Sequence, residues 1–201
     1  RIVSLMVGRD VDDFYPPRTN KPGDVVFRAK GVTVYNQKFP DKKVVDNVAF
    51  DLRSGEILAV YGLVGSGRTE MAMGMIGAWK GNVECEVEVK GKAVVSRNPA
   101  QALKNGISLL PEDRKREGAI ARQSVGSNIS ASSLPRFSKF GVINSLLEKQ
   151  NNQGMIRSMS IKTPSMDALI ETLSGGNQQK VILSRLISAD SPVLILDEAT
   201  Q

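Results

Sequence analysis

The chain has 201 residues, of which 41% are hydrophobic and 24% charged, and this size predicts one globular domain with its own core. Its single cysteine, Cys85, excludes an intramolecular disulfide framework, and no apolar run approaches the roughly 18 residues of a membrane-spanning helix, so we expect a soluble protein of a reducing compartment. The net charge of +6 suits nucleic acid, an anionic membrane surface, a polyphosphate ligand or plain solubility, and does not choose among them.

The N-terminal region is predicted to be a linker. Residues 2–7 are apolar-rich, as the tail of a helix would be, and residues 8–24 follow with prolines and several charges. The chain opens with Arg1 instead of a start methionine, which predicts a fragment of a longer protein. We therefore assign residues 1–24 to a linker and residues 25–201 to the domain.

Short runs with β-type composition begin at residue 25. They cover residues 25–29, 44–52, 57–61 and 83–89, and the last run alternates glutamates with apolar residues, as a strand with one solvent-exposed face does. Asn98 then predicts a helix N-cap before Pro99 at the first helical position, and Gly106 predicts the end of that short helix.

Two four-residue apolar runs, residues 107–110 and 193–196, are predicted to be buried parallel strands. Proline stops the first run and two acidic residues stop the second. Between them, residues from about 119 to 172 are predicted to form a mostly helical insertion, with amphipathic stretches at 144–159 and 165–173. The predicted fold class is therefore α/β.

A glycine-rich sequence, Gly-Leu-Val-Gly-Ser-Gly-Arg-Thr at residues 62–69, lies between the predicted strand 57–61 and a helix-compatible run; we call it the phosphate loop. Glycines let backbone N–H groups curl around phosphate oxygens, and the helix N-terminus adds partial positive charge. Thr69 would offer a hydroxyl to magnesium. Arg68 stands where the usual motif has lysine, and its bulkier, forked group is not equivalent. A glycine-rich turn without a ligand is the alternative.

The run 193–196 ends in two adjacent carboxylates, Asp197 and Glu198, as a Walker B strand does. Alternation along the strand end points the two side chains differently, so they can do separate tasks. Asp197 would hold the magnesium shell, and Glu198 would polarise the attacking water as general base. Taken alone, this pair is also compatible with a solvated strand end.

A third motif, Leu-Ser-Gly-Gly-Asn-Gln-Gln-Lys at residues 173–180, precedes a helix-compatible run; we call it the signature segment. Serine, bare glycine N–H groups and a helix N-terminus together suit a phosphate, although a plain N-cap is the simpler interpretation. Placed a dozen or so residues before a strand that ends in Asp-Glu, the segment resembles the signature of ATP-binding-cassette (ABC) ATPases.

The resemblance extends over essentially the whole chain. Residues 67–70, 111–118 and 177–180 are similar to the second cassette of ribose-, galactose- and xylose-type import ATPases, and residues 6–9 resemble the linker that follows the first cassette of those proteins. The resemblance implies a P-loop NTPase core whose sheet is incomplete at the C-terminus, because this chain stops just after Walker B. The strand that follows Walker B in the family inserts between the Walker A and Walker B strands, so we expect a gap there.

The resemblance also assigns the site. It implies ATP and Mg²⁺ as cofactors, with Thr69 and Asp197 at the metal and Glu198 as the base, while Glu112 stands where the family has a magnesium-sensing glutamine. The residues implied to bind nucleotide in one half-site are Gly62, Gly65, Ser66, Gly67, Arg68, Thr69 and Glu70. Those implied to act on the nucleotide of a partner cassette are Ser174, Gly175, Gly176 and Gln178.

The partners implied by the resemblance are the first nucleotide-binding domain of the same polypeptide, transmembrane permease subunits and, indirectly, a periplasmic sugar-binding protein. The implied location is the cytoplasmic face of the bacterial inner membrane. Nucleic acid is not expected, since residues 114–116 form the only tight basic cluster. Tyr35 or Phe39 could stack on adenine or could serve packing alone.

Two functions remain open at this stage. The first is ATP hydrolysis that drives sugar import, and the second is a degenerate half that binds nucleotide structurally and lends its signature segment to the partner cassette. Arg68, Glu112 and the absence of any histidine, and so of the family's switch histidine, are the departures that put hydrolysis by this half in question.

Overall fold

A computed structural model of the chain describes residues 21–113 and 118–198. The predicted helix tail at 2–7, most of the predicted linker and the basic cluster at 114–116 lie outside these residues. Residues 21–24 belong to neither helix nor strand. Within the described ranges, no helix has both the length and the apolar character that a membrane crossing requires.

The structure is mixed α/β, as predicted. Its strands are β1 (Val25–Tyr35), β2 (Lys43–Arg53), β3 (Val83–Val89), β4 (Lys92–Val94), β5 (Ile107–Leu110), β6 (Ser138–Lys139), β7 (Val142–Ile143) and β8 (Val193–Leu196). Its helices are α1 (Arg68–Met75), α2 (Pro99–Lys104), α3 (Val125–Ser130), α4 (Leu134–Phe137), α5 (Ser145–Ser158) and α6 (Gly175–Ser188), with a 3₁₀ turn at Ile170–Thr172.

An antiparallel sheet in the order β2-β1-β3-β4 supplies one side of the first core. Phe27, Val32 and Val34 of β1 are buried, and α1 packs Met71 and Met75 into the same core. The predicted alternation in β3 is confirmed, since Val87 and Val89 are buried while the side chains of Glu84 and Glu86 are exposed. This sheet and α1 form the platform from which the phosphate loop projects.

The predicted parallel pairing is confirmed, but β8 is not buried as predicted, since Leu194 is 38% and Leu196 48% exposed. β5 and β8 pair in parallel from Ile107 opposite Val193 to Leu110 opposite Leu196. The preceding helix α2 begins as predicted, because the Asn98 side chain accepts a hydrogen bond from the Gln101 N–H at 2.9 Å. Both strands end at the same edge, so the residues that follow them are brought together.

The insertion forms a second core around α3, α5 and α6, with Val125, Ile129 and Val181 completely buried. The helix predicted at 144–159 is confirmed as α5. The helix predicted at 165–173 is wrong, apart from the 3₁₀ turn at its end. Its backbone groups instead pair with the start of α3: the carbonyls of Met166 and Ala168 accept from the N–H groups of Gly126 and Val125, both at 2.9 Å.

The strand predicted at 57–61 is also wrong for this structure, because residues 56–63 belong to neither helix nor strand. Ile57 is 84% exposed and Tyr61 is 90% exposed. Among the described residues, β5 and β8 pair only with each other. Residues 57–61 therefore have no adjacent strand with which to form backbone hydrogen bonds.

The 201-residue chain on its own is therefore expected to melt without a cooperative transition and to associate through residues 57–64. Exposed apolar side chains on an unpaired extended segment are a template for pairing with other chains. Calorimetry combined with light scattering at several protein concentrations would check this. Cooperative melting of a strict monomer ending at Gln201 would contradict it.

Candidate functional site

The phosphate loop curls back on itself before α1 begins. Gly65 and Gly67 have φ values of 78° and 89°, the left-handed region that glycine enters at little cost. The Ser66 N–H donates to the Leu63 carbonyl at 3.0 Å, and α1 starts at Arg68 directly after the loop. The first N–H groups of a helix have no acceptor within it, so this loop presents backbone donors and a helix N-terminus to an anion.

Gly67 is required for a second reason. A Cβ at this position would lie 2.7 Å from Cγ2 of Val45 and 2.8 Å from the carbonyl oxygen of Val44, both on β2. The loop therefore packs directly against the sheet, and no larger residue fits without moving the backbone.

Gly67→Ala is expected to lower the free energy of unfolding by about 2 kcal/mol, because alanine meets both an unfavourable φ and a backbone clash. Gly91→Ala is the matched control, since Gly91 has a φ of 73° with open space around a Cβ. Gly91→Ala should lower the free energy of unfolding by about 1 kcal/mol, because only the unfavourable φ contributes there. Urea unfolding of the full-length protein measures both, and equal losses would contradict the packing argument.

Of the two acidic residues that follow β8, Glu198 contacts the phosphate loop. Nη2 of Arg68 lies 3.7 Å from Oε1 of Glu198, and each side chain is about one third exposed, at 32% and 30%. Glu198 has a φ of 47°, a left-handed conformation that a residue with a Cβ adopts only at some cost. Asp197 continues the β5–β8 pairing through its N–H, which donates to the Leu110 carbonyl at 3.0 Å.

Glu112, which follows β5, also reaches the phosphate loop. Oγ1 of Thr69 donates to Oε2 of Glu112 at 3.3 Å. A hydroxyl oxygen and carboxylate oxygens are the donors that Mg²⁺ accepts, usually together with phosphate oxygens of a substrate. Among the described residues, no group of three or more His, Cys, Asp or Glu side chains could hold a metal by itself. The donor set thus fits a cation that is shared with a phosphate ligand.

The signature segment lies at the start of α6 and is open. Ser174 is the N-cap residue of α6, but its hydroxyl makes no hydrogen bond to the helix N–H groups and instead accepts from Nδ2 of Asn177 at 2.9 Å. Nε2 of Gln178 donates to the Leu173 carbonyl at 2.9 Å. A Cβ on Gly175 or Gly176 would meet no atom within 4 Å.

The structure brings some predicted site residues together and leaves others apart. Arg68, Thr69, Glu112 and Glu198 are joined by the two contacts described above. Among the described residues, no hydrogen bond or ion pair connects residues 174–178 with residues 62–70. The phosphate loop and the signature segment are therefore two separate surfaces within this chain.

The sequence analysis missed Asn177. Its Oδ1 accepts from the Lys162 N–H at 2.8 Å while its Nδ2 donates to Ser174, so it holds the signature serine to the end of the insertion. A polar residue three positions after a serine at a helix start is the signal that could have indicated it.

The two candidate aromatic residues differ in their surroundings. The Tyr35 hydroxyl donates to Oε1 of Glu84 at 3.1 Å, and this bond to a carboxylate raises the pKa of Tyr35 above its ordinary value. Phe39 is 64% exposed. Phe39 is thus the more exposed of the two rings, since Tyr35 is half-buried.

The sequence matches a known family and several curated proteins. The profile of the family described as ABC transporter matches residues 45–201. The xylose import ATP-binding protein XylG of Thermoanaerobacter pseudethanolicus is 43% identical over 201 residues, which are 100% of this chain and 40% of that protein. The protein of the same name from Brucella melitensis is 42% identical over 200 residues, 100% of this chain and 39% of that protein. The chain thus spans about two fifths of the length of these relatives.

Solved structures share the fold at low sequence identity. The ATP-binding cassette MJ1267 of an ABC transporter has a TM-score of 0.70 and 17% identity, covering 88% of this chain and 70% of that chain. The dimeric post-hydrolysis structure of the ATP-binding cassette MJ0796 with ADP and Pi has a TM-score of 0.68 and 18% identity, covering 87% of this chain and 74% of that chain.

Proposed function

From the premise that this chain belongs to the ABC transporter family, we propose that it binds ATP with Mg²⁺ and hydrolyses it to energise sugar import. The observation that carries the proposal is the meeting of three elements: at the start of α1, Arg68 contacts Glu198 after β8 and Thr69 contacts Glu112 after β5. The relatives named xylose import ATP-binding proteins, 42% to 43% identical over the whole chain, support sugar as the cargo.

Each side chain has a proposed task. The backbone of the phosphate loop, from Gly62 through Gly65, Ser66 and Gly67 to the first turn at Glu70, cradles the phosphates, and Arg68 adds positive charge. Thr69 and Asp197 hold Mg²⁺, which when bound draws negative charge off the phosphates. Glu198 orients water and accepts its proton. Glu112 supplies a carboxylate oxygen beside Thr69 at the metal side of the site.

The signature segment is proposed to act on another cassette. Its open glycine surface, at Gly175 and Gly176, suits an anion presented by a partner, with the Ser174 hydroxyl and the Gln178 amide beside it. The proposed partner is a first cassette of the same polypeptide. The proposal also includes permease subunits as partners and, acting through them, a periplasmic sugar-binding protein. The proposed location is the cytoplasmic face of the bacterial inner membrane, and nucleic acid is not a proposed partner.

A second candidate function is supported by the Arg68 contact. A forked guanidinium that lies against Glu198 is a different phosphate ligand from the compact ammonium of lysine. A half-site built this way could bind nucleotide without hydrolysing it and serve chiefly through its signature segment.

Titration with a fluorescent ATP analogue, with and without Mg²⁺, tests the proposal on the full-length protein. Wild type is expected to bind in a Mg²⁺-dependent way, and Arg68→Lys should change the affinity by less than about threefold, because the backbone donors of the phosphate loop and the start of α1 would supply most of the phosphate binding. Arg97→Lys, at an exposed arginine away from the site, is the control.

The opposite result selects the second candidate. Weak binding by wild type that Arg68→Lys converts into tight, Mg²⁺-dependent binding would identify a degenerate half-site. Absence of ATP binding in both proteins would contradict both functions.

A further inference from the structure

The contact between Arg68 and Glu198 joins two groups that the proposed function uses separately. Nη2 of Arg68 lies 3.7 Å from Oε1 of Glu198, and roughly two thirds of each side chain is removed from solvent. One group is the cation offered to phosphate, and the other is the base offered to water.

The backbone of Glu198 is part of the same arrangement. Its φ of 47° places a residue with a Cβ in the left-handed region directly after β8. Such a conformation persists where the surroundings hold it, and in this structure the side chain is directed to Arg68. The Glu198 carboxylate thus contacts the same guanidinium that the proposed function offers to phosphate.

We propose that Arg68 is a positioning residue for Glu198: it holds the carboxylate while the site lacks nucleotide and exchanges it for phosphate when nucleotide binds. The inference rests on the proposed function. A polyphosphate carries more negative charge than one carboxylate, and a guanidinium forms stronger bonds to phosphate, so the exchange favours nucleotide. Release of Glu198 then follows binding, and the base reaches water only when phosphate is present.

The exchange has a measurable cost. Nucleotide has to displace Glu198 from Arg68, so the affinity for ATP is lower than it would be without the pair. Glu198→Gln should tighten ATP binding by about fivefold, the upper range for a partly exposed ion pair. Direct repulsion between Glu198 and the phosphates would also be relieved by this substitution, so the two effects have to be separated.

A double-mutant cycle separates them. ATP affinity is measured in the full-length protein as protection against photolabelling by 8-azido-ATP, quantified on peptides from residues 21–113 so that only this site is reported. The four proteins are wild type, Glu198→Gln, Arg68→Met and the double variant. Glu86→Gln removes an exposed carboxylate from β3 and controls for the change in net charge.

The expected result is tightening of about fivefold by Glu198→Gln when Arg68 is present and of less than about twofold when methionine replaces it. Equal tightening in both backgrounds, or none in either, would overturn the exchange while leaving the proposed function intact. Labelling that ATP does not prevent in any of the four proteins would instead contradict the proposed function, and the exchange with it.

Discussion

Glu198→Gln is expected to lower ATP hydrolysis by this site by about 100-fold or more, since removal of a general base costs about 10²–10⁴ in rate. Glutamine keeps the shape of the side chain and can still contact water, but it cannot accept a proton. ATP binding should persist, because the phosphate loop and its metal ligands are unchanged. Single-turnover hydrolysis by the full-length protein, followed by phosphate release, measures the effect.

The control for this prediction is Glu86→Gln, which alters charge on β3 and should leave turnover unchanged. The same exchange at the corresponding glutamate of the partner cassette provides the comparison. Loss of turnover only from the partner's variant would favour the degenerate half-site. Loss from both would indicate two hydrolysing sites that depend on each other.

Asn128→Ala is expected to destabilise the helical insertion by about 4 kcal/mol, because several buried polar groups would lose their partners at about 1–3 kcal/mol each. Asn128 is completely buried in α3. Its Oδ1 accepts from the Ile120 N–H at 2.9 Å and from Nη2 of Arg185 at 2.7 Å, and its Nδ2 donates to the carbonyls of Ile120 and Ser124.

Arg185 makes the loss more severe. Burial lowers the pKa of Arg185, which reflects the cost of holding its charge away from water. Without Oδ1 of Asn128, the Arg185 guanidinium would keep the bond from Nε to the Asn128 carbonyl but lose the bond from Nη2 to the side chain. Urea unfolding measures the effect, with Gln150→Ala on the exposed face of α5 as a control expected within about 0.5 kcal/mol of wild type. A loss below about 1 kcal/mol would contradict this account.

Local signals in the sequence predict much of the fold. The runs 107–110 and 193–196 are short, apolar and ended by breakers, and each forms the strand expected of it. Asn98 before Pro99 predicts the start of α2, since both effects act within one helical turn.

Features that depend on distant residues were not predictable in the same way. The run 57–61 has the composition of a buried strand, but whether it forms one depends on a neighbour elsewhere in the chain. Residues 165–173 have a helical pattern, yet their backbone pairs with the start of α3. The contact of Arg68 with Glu198 likewise follows from the way β8 is placed beside α1, which no local pattern encodes.

Because the space around Gly175 and Gly176 is open, selection for stability and selection for function are expected to favour different residues at these two positions. In the part of the chain that the structure describes, no atom lies close enough to require glycine at either position, and glycine within a helix costs about 1 kcal/mol relative to alanine. A population of variants sorted for resistance to unfolding would therefore accept alanine at both positions. Under the proposed function, the same population sorted for growth on a sugar that the whole transporter imports is expected to retain glycine, because the bare surface would then serve a partner cassette.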